Sequence, residues 1–538
     1  MECDKFRHYI STRISIVKLP NYLSGRWAEG SGPGEPLIDP VRGVELVRAS
    51  SAGIDYAAAL NYARSIGGPA LRALTYSDRA RLLGQIAEVL AANRAAYYKI
   101  ALENSGSPKS DAAIDIDGAI FTLKYYAREG AALGDNTVLR EGSLVRLGKN
   151  DSFQSLHVGL PLRGAAILIN AFNFPSWGLW EKAAPALLAG VPILVKPATA
   201  TAWLAHRMIE DVVKAAILPN GALSIVCGSA NDLLDHVRGE DAIAFTGSAS
   251  TAQRIRAHAA VAHHSARINI EADSLNVAVL GPDATPDSAL LDLLITEVAR
   301  EMTIKAGQKC TAIRRILVPD FLRRAVADGI HARLAQIRVG DPRDATVQMG
   351  PLVSKQQQQS VRDGIKLLSL ESRIIYGHAD EFSPPGADPA VSAFVSPTLL
   401  ANEAPLDARA VHEVEVFGPV ATLLPYRSVE EAMQIAELGG GSLVASLFSE
   451  DPRVVERLAL QLAPSHGRVH VVSTEVAAAQ TGHGNVMPMS IHGGPGRAGG
   501  GQELGGLRAL RFYHQFTALQ GPTQTLQRIA ERAVEFRP

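Results

Sequence analysis

The chain has 538 residues, with 53 basic and 54 acidic side chains, a formal net charge of −1 at pH 7, and 47% apolar against 20% charged residues. Single cores stop growing near roughly 250 residues, so two or three domains are expected. The balanced charge lacks the basic excess that a nucleic-acid or anionic-membrane partner attracts, and neither partner is expected. Three cysteines, Cys3, Cys227 and Cys310, make no disulfide framework and fit a reducing compartment. No pair of them is spaced for zinc, and no metal is expected. The opening "MECDKFRHYI" is charged and has no apolar core, so a secretory signal is not expected. The longest uncharged run is broken by Asn170, Asn173 and Pro175, which argues against a membrane span. A cytoplasmic protein is predicted.

In chain order, the stretch 76–106 opens on Ser77-Asp78 as a capping signal. It repeats Leu82, Leu83, Ile86, Val89 and Leu90 at helical spacing. A second helix is predicted over Asp111 to Arg128. "SLVRLGKNDSFQSLHVGLP" reads as two strands about a polar turn at Gly148 to Asp151, either a subunit-pairing hairpin or a surface loop. From Gly164 short apolar strands ("GAAILIN", "VPILVKP", "GALSIVCG", "DAIAFTGS") alternate with helical segments ("WEKAAPALLAG", "TAWLAHRMIEDVVKAAI", "NDLLDHVRG", "STAQRIRAHAA"). Then "ARINIEA" or "NVAVLG" supplies a further strand. This alternation predicts a doubly wound α/β fold on a parallel sheet, which binds ligands at the C-terminal ends of its strands. A second α/β block runs from "RRILVP" to "SLVASLFS". The tail "HGGPGRAGGGQELGG" carries eight glycines between Gly493 and Gly506, and ordered text resumes after it.

Five places carry chemistry-bearing residues. Asn173, in "NAFNFPSW", either faces the ligand crevice or makes a turn. Lys196 ends a strand before Pro197 and either binds phosphate or ribose or is merely solvated. Gly247 and Ser248, in "FTGSAS", stand where a helix N-terminus can receive a pyrophosphate, although the stretch is not GxGxxG. Glu271, at a strand end, is a general base or a surface charge. Cys310 follows Gly307, Gln308 and Lys309 in "AGQKCTAIRR". It is either a small core residue or a nucleophile, and a nucleophile wants a helix N-terminus or positive charge beside its thiolate.

Taken together and in order, "NAFNFP", "VKPAT", "LPNGALSIVCG", "AFTGS", Glu271, "GQKCT", "MGPLVS", "SPTLL" and "EVFGPV" resemble the NAD(P)-dependent aldehyde dehydrogenases from about Leu23 to Gly521. The resemblance implies a Rossmann-like cofactor domain (1–143 and 163–272), an α/β catalytic domain (273–490) and a small oligomerisation sheet (144–162 and 491–538), in a homodimer. It implies Cys310 as nucleophile, Asn173 as oxyanion donor and Glu271 as general base. Phe172, Lys196, Thr199, Gly247, Ser248, Glu415 and Phe417 fall on cofactor contacts. Thr199 stands where NAD-preferring members often carry a glutamate, which predicts NADP, with NAD as the alternative. Two departures are that Glu271 precedes "ADSLN" and that Phe172 replaces a usual tryptophan. "EADSLN", "LPNYLSGRW" and the glycine-rich tail resemble a branch that acts on coenzyme A-linked semialdehydes in aerobic aromatic catabolism. The end at Pro538 predicts a dehydrogenase without an attached hydratase domain. The competing readings are a CoA-acylating aldehyde dehydrogenase, against which Glu271 argues, and a non-redox thiol acyltransferase or thioesterase, which needs no cofactor residues.

Overall fold

The computed structural model describes residues 17–378 and 382–537, so the charged N-terminus and Cys3 lie outside the described residues. Seven strands form the first sheet. Arg267–Glu271, Ala242–Thr246, Ala166–Ile169, Ile193–Lys196 and Leu223–Ile225 lie parallel in that order, and Asn21–Leu23 and Arg26–Ala28 add an antiparallel edge. The parallel strands are apolar on both faces because each face packs against its own core. Leu168 and Val195 enter one core, and their neighbours Ile167 and Leu194 enter the other.

The chain runs outward from Ala166–Ile169 to Leu223–Ile225, then returns to Ala242–Thr246 on the opposite side of Ala166–Ile169. Strand order reverses between these two neighbours, so the loops that follow them part and open a crevice. The register puts Lys196 beside Ile169 and Glu271 beside Thr246 at that same edge.

A second seven-stranded sheet takes the order Arg373–Tyr376, Thr398–Ala401, Val420–Tyr426, Arg315–Pro319, Val277–Leu280, Ser442–Phe448, His466–Val472, and only its first strand is antiparallel. Both "ARINIEA" and "NVAVLG" are therefore strands, one in each sheet, and the chain crosses between the sheets over residues 272–276. A four-stranded sheet joins the hairpin Val138–Arg146 and Phe153–Pro161 to His514–Pro522 and Ala533–Glu535.

The glycine-rich tail is ordered. Its strands Ile491–Gly493 and Gln502–Leu504 pair, and it packs against both large sheets. Gly501 N donates to Ile270 O at 3.1 Å, and Ala272 N donates to Ala498 O at 3.0 Å. A Cβ on Gly499, whose φ is +107°, would stand 2.3 Å from Ile270 O. The segment 491–506, expected to serve oligomerisation, thus lies against the strand that ends in Glu271.

Local details differ from the pattern. Thr75, not Ser77, caps the helix Tyr76–Ala92: its hydroxyl accepts from Asp78 N, and the Asp78 carboxylate accepts from Thr75 N. A separate helix, Arg94–Ser105, begins after Asn93. The second predicted helix spans Lys109–Ala131. "NDLLDHVRG" yields only the 3₁₀ turn Leu233–His236. Among the described residues, no helix is long and apolar enough to cross a membrane.

Candidate active site

Cys310 sits at the end of an unusual loop. After the helix Ala289–Thr303, Lys305, Ala306 and Gly307 all adopt left-handed backbone, with φ of 53°, 51° and 67°. For a residue with a side chain this conformation costs of order 1–3 kcal/mol, so the surroundings must enforce it. They do so with hydrogen bonds. Asp111 accepts from Lys305 N at 2.7 Å. The buried Arg314 guanidinium donates to Gly307 O (2.8 Å), Lys309 O (3.2 Å) and Gly418 O (2.6 Å). Asn276 donates to Cys310 O (2.8 Å) and Ala312 O (3.0 Å), while its carbonyl accepts from Ser274 Oγ (2.7 Å) and Val444 N (3.0 Å). Gly307 leaves room for the close approach expected of it: a Cβ there would lie 2.2 Å from Gly418 O.

Cys310 is half-buried and lines two cavities. One, of about 400 Å³, is walled largely by Ile114, Phe121, Phe174, Trp177, Val486 and Met487. The other, of about 570 Å³, occupies the crevice of the first sheet. Asn173, Glu271 and Cys310 share its wall with Phe172, Lys196, Gly247, Ser248, Glu415 and Phe417. Of the cofactor residues expected from the sequence, only Thr199 is absent from this wall. It begins the 3₁₀ turn Thr199–Thr201, just beyond Ala198, which does line the cavity.

Positive charge near the thiol comes from the buried Arg314 and the half-buried Arg468, not from the adjacent lysine or a helix N-terminus. Lys309 is fully engaged by both Glu301 carboxylate oxygens at 2.8 Å, and Cys310 begins no helix. Burial, then Glu271 by charge and hydrogen bonding, push the Cys310 thiol well above its ordinary value. The Glu271 carboxylate lies within 4.8 Å of the sulfur.

Glu271 ends its strand almost fully buried. Burial disfavours its charge, but His492 at 2.9 Å, Lys182 and Cys310 outweigh that effect and hold it down at about 2. Lys182 belongs to a buried cluster behind the site, 2.6 Å from Glu181 and 2.9 Å from Glu503. Asn269 donates to the other Glu503 oxygen at 2.9 Å. Burial pushes the Glu181 carboxyl well up, ahead of the opposing effect of Lys182. Sequence reading missed Lys182, Glu181, Glu503, His492, Asn276 and Arg314. A signal existed for one pair: Glu181-Lys182 is an adjacent charge pair inside an otherwise apolar helix.

The crevice has the chemistry of a dinucleotide site. Asn170 Oδ1 and Nδ2, Thr246 Oγ1 and Glu415 Oε1 are buried in or beside its wall without protein hydrogen-bond partners, and such atoms call for a polar ligand. Burial pushes the Glu415 carboxyl up to about 7, opposed by Arg314. Phe172 and Phe417 stand edge to face at 5.7 Å, and Gln357 donates to Phe417 O at 2.8 Å.

A profile of the aldehyde dehydrogenase family matches residues 27–519. The chain is 57% identical over 479 residues to 3,4-dehydroadipyl-CoA semialdehyde dehydrogenase of Aromatoleum evansii, covering 89% of this chain and 93% of that protein. It is 30% identical to hydroxyisobutyraldehyde dehydrogenase of Mycolicibacterium austroafricanum, covering 92% of each. In fold it is similar to NAD+-bound betaine aldehyde dehydrogenase of Staphylococcus aureus, with a TM-score of 0.83, 23% identity and coverage of 94% of this chain and 95% of that one.

Asn276→Ala removes the clamp on the Cys310 carbonyl and leaves two buried carbonyls unpaired, at about 1–3 kcal/mol each. The expected outcome is a lower thermal midpoint and faster alkylation of Cys310, followed by peptide mass spectrometry. Fully buried Cys227 serves as the internal control. An unchanged Cys310 rate would show that the clamp does not govern the loop.

Proposed function

Because the chain belongs to the aldehyde dehydrogenase family and is an NAD(P)-dependent aldehyde dehydrogenase, we propose that it oxidises a coenzyme A-linked aliphatic semialdehyde, 3,4-dehydroadipyl-CoA semialdehyde, to the carboxylic acid, with hydrolytic release of the acyl group and a preference for NADP. The observation that carries this reading is the position of Cys310 at the junction of an apolar cavity and a polar crevice, with Glu271 within reach of its sulfur. The substrate assignment draws on the 57% identical relative, whose name states that aldehyde.

In this reading Glu271 takes the thiol proton as Cys310 Sγ bonds to the aldehyde carbon, and the carbonyl electron pair moves to oxygen. The side-chain amide of Asn173 and the Cys310 N–H receive that oxyanion, each worth roughly 3 kcal/mol. When bound, the nicotinamide supplies the two-electron acceptor that turns the thiohemiacetal into a thioester. Glu271 releases that first proton to solvent, takes a second from the water that attacks the thioester carbon, and returns it to the departing sulfur, which restores the thiol. His492 and Lys182 keep Glu271 ionised for both transfers.

Phe172, Lys196, Gly247, Ser248, Glu415 and Phe417 would hold the cofactor, and the unpartnered Asn170 and Thr246 fit its hydroxyl-rich and phosphate-rich surface. Beside Lys196, Thr199 offers a 2′-phosphate a hydroxyl instead of a carboxylate. In this assignment the first seven-stranded sheet binds cofactor, the second carries the nucleophile loop and the four-stranded sheet pairs subunits. Exposed Val145, Phe153 and Leu160 on the latter support a homodimer.

Three measurements check these points. Glu271→Gln lacks the base for both proton transfers, so it is expected to acylate slowly and to hydrolyse more slowly still, and intact-protein mass spectrometry after prolonged mixing with aldehyde and cofactor should find an acyl adduct building up on Cys310. Rapid release of acid by this variant would remove Glu271 from the role. A panel of CoA-linked and free aldehydes, assayed without added free CoA, should give the highest kcat/KM with the CoA-linked semialdehyde and NADP, and Thr199→Glu should move preference toward NAD. Higher kcat/KM with NAD in the wild type would refute the cofactor choice. Sedimentation should give a dimer that Leu160→Lys weakens.

A further inference from the structure

We propose that Glu271, Cys310 and His492 form a site for a zinc-like divalent cation that reversibly shuts the enzyme off. A carboxylate oxygen, the thiol sulfur and an imidazole nitrogen all lie within 4.8 Å of one another. Glu271 and His492 are 1% and 3% exposed, and neither Glu271 oxygen nor His492 Nε2 makes a properly aligned hydrogen bond, despite the 2.9 Å contact between them. Buried atoms of this kind call for a partner, and a cation can satisfy all three at once.

The ligand set selects the ion. One sulfur, one imidazole nitrogen and one carboxylate oxygen suit zinc, whereas calcium and magnesium ask for oxygen. A tetrahedral zinc centre needs about 3.3–3.6 Å between ligand atoms. The three ligand atoms lie within 4.8 Å of one another, so binding must draw the widest pair closer by up to about 1 Å. The backbone is well anchored: Gly501 N, just before the strand that pairs with that of His492, donates to Ile270 O, next to Glu271, at 3.1 Å, and the Trp177 ring packs on His492 with centroids 5.6 Å apart. Cys310 lines both cavities and Glu271 the polar one, so solvent from there would complete the set. A neighbouring trio, Glu181, Glu271 and Glu503, is equally close, but the Lys182 ammonium already stands 2.6 and 2.9 Å from two of its members. That trio holds its own cation and has no room for a metal.

Binding replaces the thiol proton with a sulfur–metal bond and releases the proton to solvent. The bound sulfur cannot add to a carbonyl, the bound carboxylate cannot take a proton, and a chelator restores both. The loss of activity rests on Cys310 and Glu271 acting as proposed above, whereas the binding itself does not. The three ligands escaped the sequence reading because 39 and 182 residues separate them (310 − 271 and 492 − 310).

Cobalt(II) is the probe, added to the chelator-treated full-length enzyme. The expected spectrum has the intense visible bands of four-coordinate cobalt and a near-ultraviolet thiolate charge-transfer band, both saturating at one equivalent and bleached by zinc. Cys310→Ala should abolish the charge-transfer band. Losing an outer-shell partner already costs about 10–100-fold in metal affinity, so His492→Ala and His492→Gln should each weaken cobalt binding by at least about tenfold. Failure to bind cobalt, a weak six-coordinate spectrum, a thiolate band that survives Cys310→Ala, or undiminished affinity in both His492 variants would overturn the site. None of these outcomes depends on turnover, so failure here leaves the dehydrogenase reading standing.

Discussion

The active centre depends on a set of hydrogen bonds that make an unfavourable backbone affordable. Three successive left-handed residues turn the chain toward Cys310, and two of them carry side chains. Arg314 and Asn276 hold this turn by donating to five backbone carbonyls around it. Both donors are buried, where a lost bond strands a polar group and cannot be replaced by water. The sulfur therefore keeps its place between two cavities without a helix to present it.

Electrostatics then divide the labour. The thiol is surrounded by carboxylates and kept neutral, while Glu271 is kept ionised by His492 and Lys182. In the proposed reaction these opposite protonation states set nucleophile and base apart by one proton. His492 reaches this position only because the glycine-rich tail can lie directly on the main chain of the first sheet, where any Cβ on Gly499 would strike Ile270 O. The same docking that supplies a charge partner for the base also completes a sulfur, nitrogen and oxygen trio.

Much of the scaffold was legible. The alternation of short apolar strands with helices indicates a doubly wound sheet, and strand ends mark Lys196, Gly247 and Glu271 as crevice residues. Sheet membership was not legible: "ARINIEA" and "NVAVLG" look alike because both are buried on two faces, yet they belong to different sheets. The Thr75 cap was missed because reciprocal bonding to Asp78, and not residue type alone, decides which hydroxyl caps. The glycine-rich tail reads equally well as linker or as packed segment, since glycine serves both flexibility and close approach.

By itself the sequence determined the α/β class, a cysteine flanked by glycine and polar residues, and the order of motifs along the chain, because these reside in local pattern. Tertiary structure alone decided that Glu181, Lys182, Glu503 and His492 gather behind Glu271, and that burial and the nearby carboxylates dominate the surroundings of Cys310. Charge and coordination depend on distance through space, and folding brings together residues whose separation in sequence carries no trace of it.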